Sequence, residues 1–142
     1  MSQPTLVEIM GALAAQLRTA LASALPDLQV DARLNPNPTP PSVDIYPADP
    51  FLEHSAFGIP NREASFLIRA RVAGDHEAQQ DELIGLMDVN STTSLAAALG
   101  NELAVNGDTF HVSVNGPSGF RQYTDPGGNS LLGCEWTVQV PL

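Results

Sequence analysis

The sequence F-L-I-R-A-R-V-A at Phe66–Ala73 places an apolar residue at every second position. Successive side chains of an extended strand point to opposite faces, so this alternation predicts a strand with one buried face. Arg69 and Arg71 lie at intervening positions, which predicts a polar second face. The positions expected to be buried are Phe66, Ile68, Ala70 and Val72.

The same two-residue period recurs on both sides of this stretch. It predicts four further strands, at Leu28–Leu34, Val43–Tyr46, Phe110–Val114 and Leu132–Val140. Cys134 is in phase with the apolar positions of the last strand, so we interpret it as a small core side chain rather than a nucleophile.

A long amphipathic helix is predicted before the first strand. Thr5-Leu6-Val7-Glu8 is a capping box, in which Thr5 caps the helix and Glu8 binds back to the Thr5 amide. Apolar residues then recur at helical spacing as far as Leu25, where Pro26 ends the pattern.

A second helix follows Gly74, with Asp75 as its expected N-cap. Its polar face carries three acids and the segment Asp75–Asp88 contains no arginine, so this face is strongly negative. These acids are Glu77, Asp81 and Asp88. A short third helix, capped by Thr92 or Thr93, is expected to run through Leu103.

The resulting order is α-β-β-β-α-α-β-β. Half-polar strands and helices grouped in two places predict an α+β fold, in which a mostly antiparallel sheet of about five strands has helices packed on one face. A length of 142 residues predicts a single domain, residues 1–142. The expected shared core comprises Leu13, Leu17, Phe66, Ile68, Val112, Trp136 and Val138.

A proline-rich segment, N-P-N-P-T-P-P-S at Asn35–Ser42, joins the first two strands. Each proline fixes its own φ and removes a backbone donor, so the segment is expected to be stiff, excluded from the sheet interior and projecting from the domain.

Two long loops are predicted, at Ala48–Arg62 and Gly116–Asn129, because both stretches lack a period and contain glycine and proline. Their aromatic residues either fold back as local anchors or contact a partner, and finding four of them in two loops favours an interface. The interface candidates are Phe51, Phe57, Phe120, Tyr123 and the adjacent Arg121.

The charge excludes one class of function. Sixteen acids, six arginines and no lysine give a net charge of −10, whereas nucleic-acid binders carry a basic surface that displaces phosphate counterions. Sequence-specific DNA binding is therefore not expected. An acidic surface serves solubility, or forms a wall that DNA slides past without sticking.

No pattern in the chain indicates catalysis, a cofactor or a metal site. H-E-A-Q-Q at His76–Gln80 lacks the second histidine of a zinc-binding H-E-x-x-H, and His54 and His111 have no nucleophile at a diagnostic spacing. No apolar run approaches the ~20 residues of a membrane helix, and the N-terminus has no signal-peptide pattern. We expect a non-enzymatic protein of the cell interior.

The order and texture of these elements resemble the tail terminator proteins of long-tailed bacteriophages. The resemblance spans nearly the whole chain, from the leading helix through four stretches, and the family has no catalytic motif to match. These stretches are V-D-I-Y at 43–46, S-F-L-I-R-A-R-V at 65–72, E-A-Q-Q-D-E-L-I-G-L-M-D at 77–88 and G-C-E-W-T-V-Q-V at 133–140.

The resemblance implies a hexameric ring that caps the tail tube, stops its polymerisation and provides the surface on which the filled head docks. Its implied partners are further copies of the chain, the tube protein and a head-side connector or stopper, with DNA passing through without specific binding. It also implies assembly in the host bacterial cytoplasm and a final place in the virion neck. Glu77, Asp81 and Asp88 are then candidates for an acidic lumen. The alternatives are a neck or head-completion connector, a cellular adaptor, and a small-molecule binder or enzyme.

Overall fold

The computed structural model describes residues 4–36, 39–54, 62–124 and 126–141. These ranges contain three helices and seven strands. In chain order they are α1 (Leu6–Leu21), β1 (Gln29–Asp31), β2 (Ser42–His54), β3 (Arg62–Ala73), α2 (Glu77–Met87), α3 (Leu95–Leu99), β4 (Glu102–Val105), β5 (Asp108–His111), β6 (Ser113–Thr124) and β7 (Ser130–Pro141).

Five strands form the main sheet in the order β1-β2-β3-β7-β6, and β4 and β5 form a separate hairpin. Only the short β1–β2 pair of the main sheet is parallel. The predicted fold, an α+β structure with a mostly antiparallel five-stranded sheet, is confirmed. The predicted order is also confirmed, and the β4–β5 hairpin adds short strands after α3.

One face of the sheet forms the core with the three helices. The register sets Ile68 of β3 opposite Ile45 of β2 and Trp136 of β7, so the apolar positions of neighbouring strands align. All seven residues of the predicted core belong to one buried cluster, which also includes Cys134 and side chains of α2 and α3.

The capping box of α1 forms as predicted. The Glu8 amide donates to Thr5 Oγ1 at 3.1 Å, and the Thr5 amide donates to Glu8 Oε1 at 2.9 Å. The hydrogen bond from the Thr5 amide, together with one from the Asn106 side chain, lowers the pKa of the Glu8 carboxyl group. The helix ends at Leu21, earlier than predicted, and the chain continues through turns to Pro26, with the Leu25 amide donating to the Leu21 carbonyl at 2.8 Å.

Helix boundaries differ from the prediction in two places. His76, not Asp75, caps α2, since its Nδ1 accepts the Gln79 amide at 3.2 Å. Ser94, not a threonine, caps α3, which ends at Leu99 because Gly100 adopts a positive φ of 60° and reverses the chain. Leu103, predicted as helical, is buried in β4 instead.

Both predicted loops are partly wrong. Most of Gly116–Asn129 belongs to β6, an edge strand whose pairing with β7 shifts register on both sides of Ser118. An edge strand tolerates glycine and proline at such bulges, which explains the misleading loop pattern. The start of Ala48–Arg62 continues β2 as far as His54, across a register shift between Pro47 and Leu52. Residues 55–61 lie outside the described part of the chain.

The first strand and the proline-rich segment also differ from the prediction. Only Gln29–Asp31 of the predicted first strand pairs in the sheet. The ends of the proline-rich segment pack rather than project: Pro41 is buried and accepts the Gln29 amide at 3.1 Å, while the Asn35 amide donates to Asp44 Oδ2 at 3.0 Å. A buried carboxylate requires donors, and the backbone of Asn35 supplies one.

Candidate interaction surface

The sheet face that points away from the helices carries a charged and aromatic surface. The register sets Asp44 of β2, Arg69 of β3 and Glu135 of β7 side by side, and Ser42, Arg71 and Gly133 form the neighbouring row. We call this surface the arginine face, because three of the six arginines of the chain lie on it. Its members are Asp44, Tyr46, Arg69, Arg71, Arg121, Tyr123 and Glu135.

Asp44 organises one end of the arginine face. Its side chain is 1% exposed, and its Oδ2 accepts from Nη2 of Arg69 at 2.9 Å and from Nη2 of Arg71 at 3.2 Å. Its Oδ1 accepts from Nε of Arg69 at 3.3 Å. Such a buried carboxylate is tolerated because it has both counter-charges and hydrogen-bond donors.

The two arginines respond differently to burial. Burial opposes the charged form of Arg69, but the hydrogen bonds and charge of Asp44 outweigh it, and the pKa of Arg69 is raised. For Arg71, burial and the charge of Arg69 outweigh Asp44, and its pKa is lowered. Both guanidiniums remain protonated, since arginine keeps its proton throughout the physiological range.

Aromatic rings lie against the guanidinium groups. Arg69 Cζ is 5.3 Å from the centre of the Tyr46 ring, and Arg121 Cζ is 5.0 Å from the centre of the Tyr123 ring. Both distances fall within the range of cation–π attraction. Arg121 also donates to Glu135 Oε1 at 3.3 Å, and the Tyr123 hydroxyl donates to the same oxygen at 3.4 Å. Burial raises the pKa of both tyrosines.

Gly133 makes room for this arrangement. A Cβ built at this position would lie 2.8 Å from Cε2 of Tyr123, 3.1 Å from Cγ of Arg71 and 2.7 Å from the carbonyl oxygen of Ala70. The absent side chain therefore allows the Tyr123 ring and the Arg71 stem to lie directly over the β7 backbone.

The structure brings some of the predicted interface residues together. Arg121 and Tyr123 belong to the arginine face, and Phe120 lies beside them on β6 with 49% of its surface exposed. Phe51 falls within β2, apart from this group, and Phe57 lies outside the described residues. Asp44, Tyr46 and Glu135 were not predicted as functional residues. Arg69 and Arg71, on the polar side of Phe66–Ala73, were a signal for this surface in an arginine-poor chain.

The three predicted acidic residues are all exposed. Glu77 and Asp81 lie on α2, and Asp88 caps its C-terminal end and accepts the Asn90 amide at 2.9 Å. None of the ion pairs formed by the described residues includes them. Because α2 packs on the core face of the sheet, these acids and the arginine face lie on opposite sides of the domain.

Cys134 and the possible metal ligands complete the set of chemically reactive side chains. Cys134 is fully buried, and burial, with a smaller effect of Glu135, raises its pKa to about 12. Its thiol is therefore protonated at neutral pH. Within the described ranges, no three His, Cys, Asp or Glu residues are grouped as metal ligands, and no helix is long and apolar enough to cross a membrane.

Comparison with known proteins adds little to this geometry. No family model and no curated protein matches the chain. A solved structure of a protein whose name states no function is 16% identical, with 97% of this chain and 96% of that chain covered and a TM-score of 0.45.

Proposed function

We propose that this chain is a structural protein of phage assembly, a ring-forming tail terminator that caps the tail tube and offers a surface to the head. The observation that carries the proposal is the arginine face. It lies away from the helices, and the exposed Arg121, the partly exposed Arg69 and two half-buried tyrosines are positioned there by neighbouring side chains. Arginine and tyrosine are enriched at the energetic centres of protein interfaces.

The fixed geometry of this face supports binding of a protein surface. Asp44 and Glu135 hold the guanidiniums of Arg69 and Arg121, and each guanidinium lies over a tyrosine ring. Side chains ordered before contact lose less conformational entropy on binding. The resemblance to tail terminators supports the end of the tail tube as the partner.

The net charge of −10 supports the second part of the proposal, in which DNA passes through the ring without sticking. Glu77, Asp81 and Asp88 are exposed and lie away from the arginine face, so they are available to line a lumen. An acidic lining repels phosphates instead of exchanging their counterions. A head-side connector or stopper protein is the partner proposed for the other end of the ring.

The proposal is tested by adding the purified protein to polymerising tube protein of its own phage. Negative-stain images should show rings at tube ends, and mean tube length should fall as the protein concentration rises. Thr137→Glu places a charge two residues from Glu135, in the row of Tyr46 at the border of the arginine face, at a half-buried position, and should abolish capping. Thr109→Glu, exposed on β5, is the matched control.

Two results would count against this function. Tubes that reach the same length with and without the protein would exclude a terminator. Binding to filled heads without binding to tubes would favour the neck or head-completion connector instead.

A further inference from the structure

A small apolar groove lies at one edge of the main sheet, between the end of α1 and β1. Its volume is about 130 Å³. The apolar side chains that line it are Leu17, Leu21, Ala22, Leu25, Leu28 and Val30. Most of these side chains also belong to the core, so the groove is an opening into the side of the core cluster.

Arg18 shapes this groove. Its guanidinium donates through Nε, at 3.1 Å, and through Nη2 to the Val30 carbonyl on β1. This occupies a backbone acceptor of an edge strand, which discourages pairing with a further strand at that point. The Val30 carbonyl of β1 is thus not available to a further strand, whereas the groove beside it is accessible to an apolar side chain.

The opposite edge of the sheet carries an exposed aromatic side chain. Phe120 lies on β6, between the ladder pairs of Ser118 and Arg121 where the register shifts. At 49% exposure it is the aromatic member of the large exposed hydrophobic residues in the described part of the chain. An enclosed cavity of about 150 Å³ accepts benzene, so an open groove of about 130 Å³ has room for part of a phenyl ring inserted from outside.

Phe120 cannot reach the groove of its own subunit. The two features lie on the terminal strands of the order β1-β2-β3-β7-β6, separated by four strand spacings or roughly 19 Å. A knob on one edge and a matching groove on the other is the arrangement of a head-to-tail contact between identical copies, which closes into a ring when the rotation permits.

The charges next to the two features are complementary as well. Arg121 follows Phe120 at the β6 edge of the arginine face, and its side chain is 60% exposed while it pairs with Glu135, so it borders both surfaces. Asp27 lies between Pro26 and Leu28 of the groove wall and is exposed. We infer that Phe120 of one copy occupies the α1–β1 groove of the next, with Arg121 beside Asp27. The inference rests on the proposed ring, for which it specifies the contact between subunits.

Cysteine crosslinking tests this contact directly. Gln122→Cys, exposed on β6 two residues from the retained Phe120, and Ala22→Cys place one thiol on each side of the contact. Cys134 is fully buried, so it does not compete for the reagent. A short bismaleimide should link a mixture of the two variants into covalent dimers. Either variant alone should show no covalent dimer. A chain carrying both changes should give a ladder of products up to the size of the ring.

The matched control replaces Gln122→Cys with Val89→Cys, which lies beyond α2 and is 73% exposed. Crosslinking of the Gln122 and Ala22 pair no stronger than that of the Val89 and Ala22 pair would overturn the inference. Dimers formed by Gln122→Cys alone would overturn it too, because they would show a two-fold contact.

Association measured by sedimentation velocity supplies a second test. Phe120→Ala should weaken self-association at least about tenfold, as expected for an aromatic side chain at the centre of an interface. Asp27→Arg and Arg121→Asp should each weaken it, and the double variant should restore it at low salt. Failure of the double variant to recover would exclude the proposed charge pair.

The inference and the proposed function fail separately. Rings that cap tubes normally with Phe120→Ala would overturn this contact and leave the terminator function standing. Specific crosslinking between copies that neither form rings nor bind tubes would support the contact and remove the terminator function.

Discussion

At the scale of single residues, the arginine face depends on one carboxylate. Arg69 and Arg71 lie 25 and 27 positions after Asp44 in the chain. Only the pairing of β2 with β3 brings them together. Sequence periodicity predicts which side of a strand each residue takes, but it does not predict which strands become neighbours. This explains why the arginines were visible in the sequence and their shared partner was not.

Replacing Asp44 by Asn should destabilise the fold by about 3–5 kcal/mol, because two largely buried guanidiniums lose their counter-charge. Glu135→Gln is the control: its partner Arg121 is 60% exposed, and an exposed pair contributes roughly 0–1 kcal/mol. Urea unfolding at neutral pH measures both free energies. Equal midpoints for the two variants would contradict the organising role assigned to Asp44.

At the scale of elements, the faces of β3, β7 and α1 were predictable, whereas the extent of β6 was not. A long periodic stretch such as Phe66–Ala73 indicates which of its side chains are buried. β6 contains Gly116, Pro117 and Gly119, which are typical of turns, and it is extended because β7 supplies a full-length partner. Tertiary pairing thus overrode a local signal.

The β3–β7–β6 part of the sheet should be sensitive to one added methyl group. Gly133→Ala would place Cβ within 3.1 Å of three groups from β3 and β6, so we expect a loss of about 1–3 kcal/mol and displacement of the Tyr123 ring. A Cβ built at Gly11 in α1 would have no atom within 4 Å apart from the backbone of its own helix. Gly11→Ala should therefore stabilise the fold by about 0.5–1 kcal/mol. Thermal unfolding of the pair measures the contrast, and a Gly133→Ala variant as stable as Gly11→Ala would show that the sheet adjusts freely.

At the scale of the whole molecule, charge is divided between two sides. The arginine face holds three of the six arginines, while the exposed acids of α2 lie on the other side of the sheet. This division was not predictable from the net charge of −10, since composition does not report position.

Reversing Glu77, Asp81 and Asp88 to Lys changes the net charge from −10 to −4, because each reversal adds two positive charges. All three side chains are exposed, so particles should still assemble. In a lumen, the new lysines would bind phosphates and slow DNA ejection, which is measured by dye release from filled particles after receptor addition. Ejection at the normal rate would contradict a place for this helix face in the lumen of the proposed ring. The control combines Glu102→Lys, Ala104→Lys, Asp108→Lys and Thr109→Lys, four changes on the β4–β5 hairpin that give the same net charge of −4.

The central position of β7 has a consequence for synthesis of the protein. β7 pairs with β3 on one side and β6 on the other, and it is the last of the described strands in the chain. While the ribosome is still making Ser130–Pro141, β3 has a partner only in β2, and β6 still lacks β7, its neighbour in the sheet. Pairing of β3 with β7 also joins segments far apart in sequence, which slows folding. A nascent chain therefore has no finished Phe120 edge, and the contact proposed between subunits can form only after β7 has been translated.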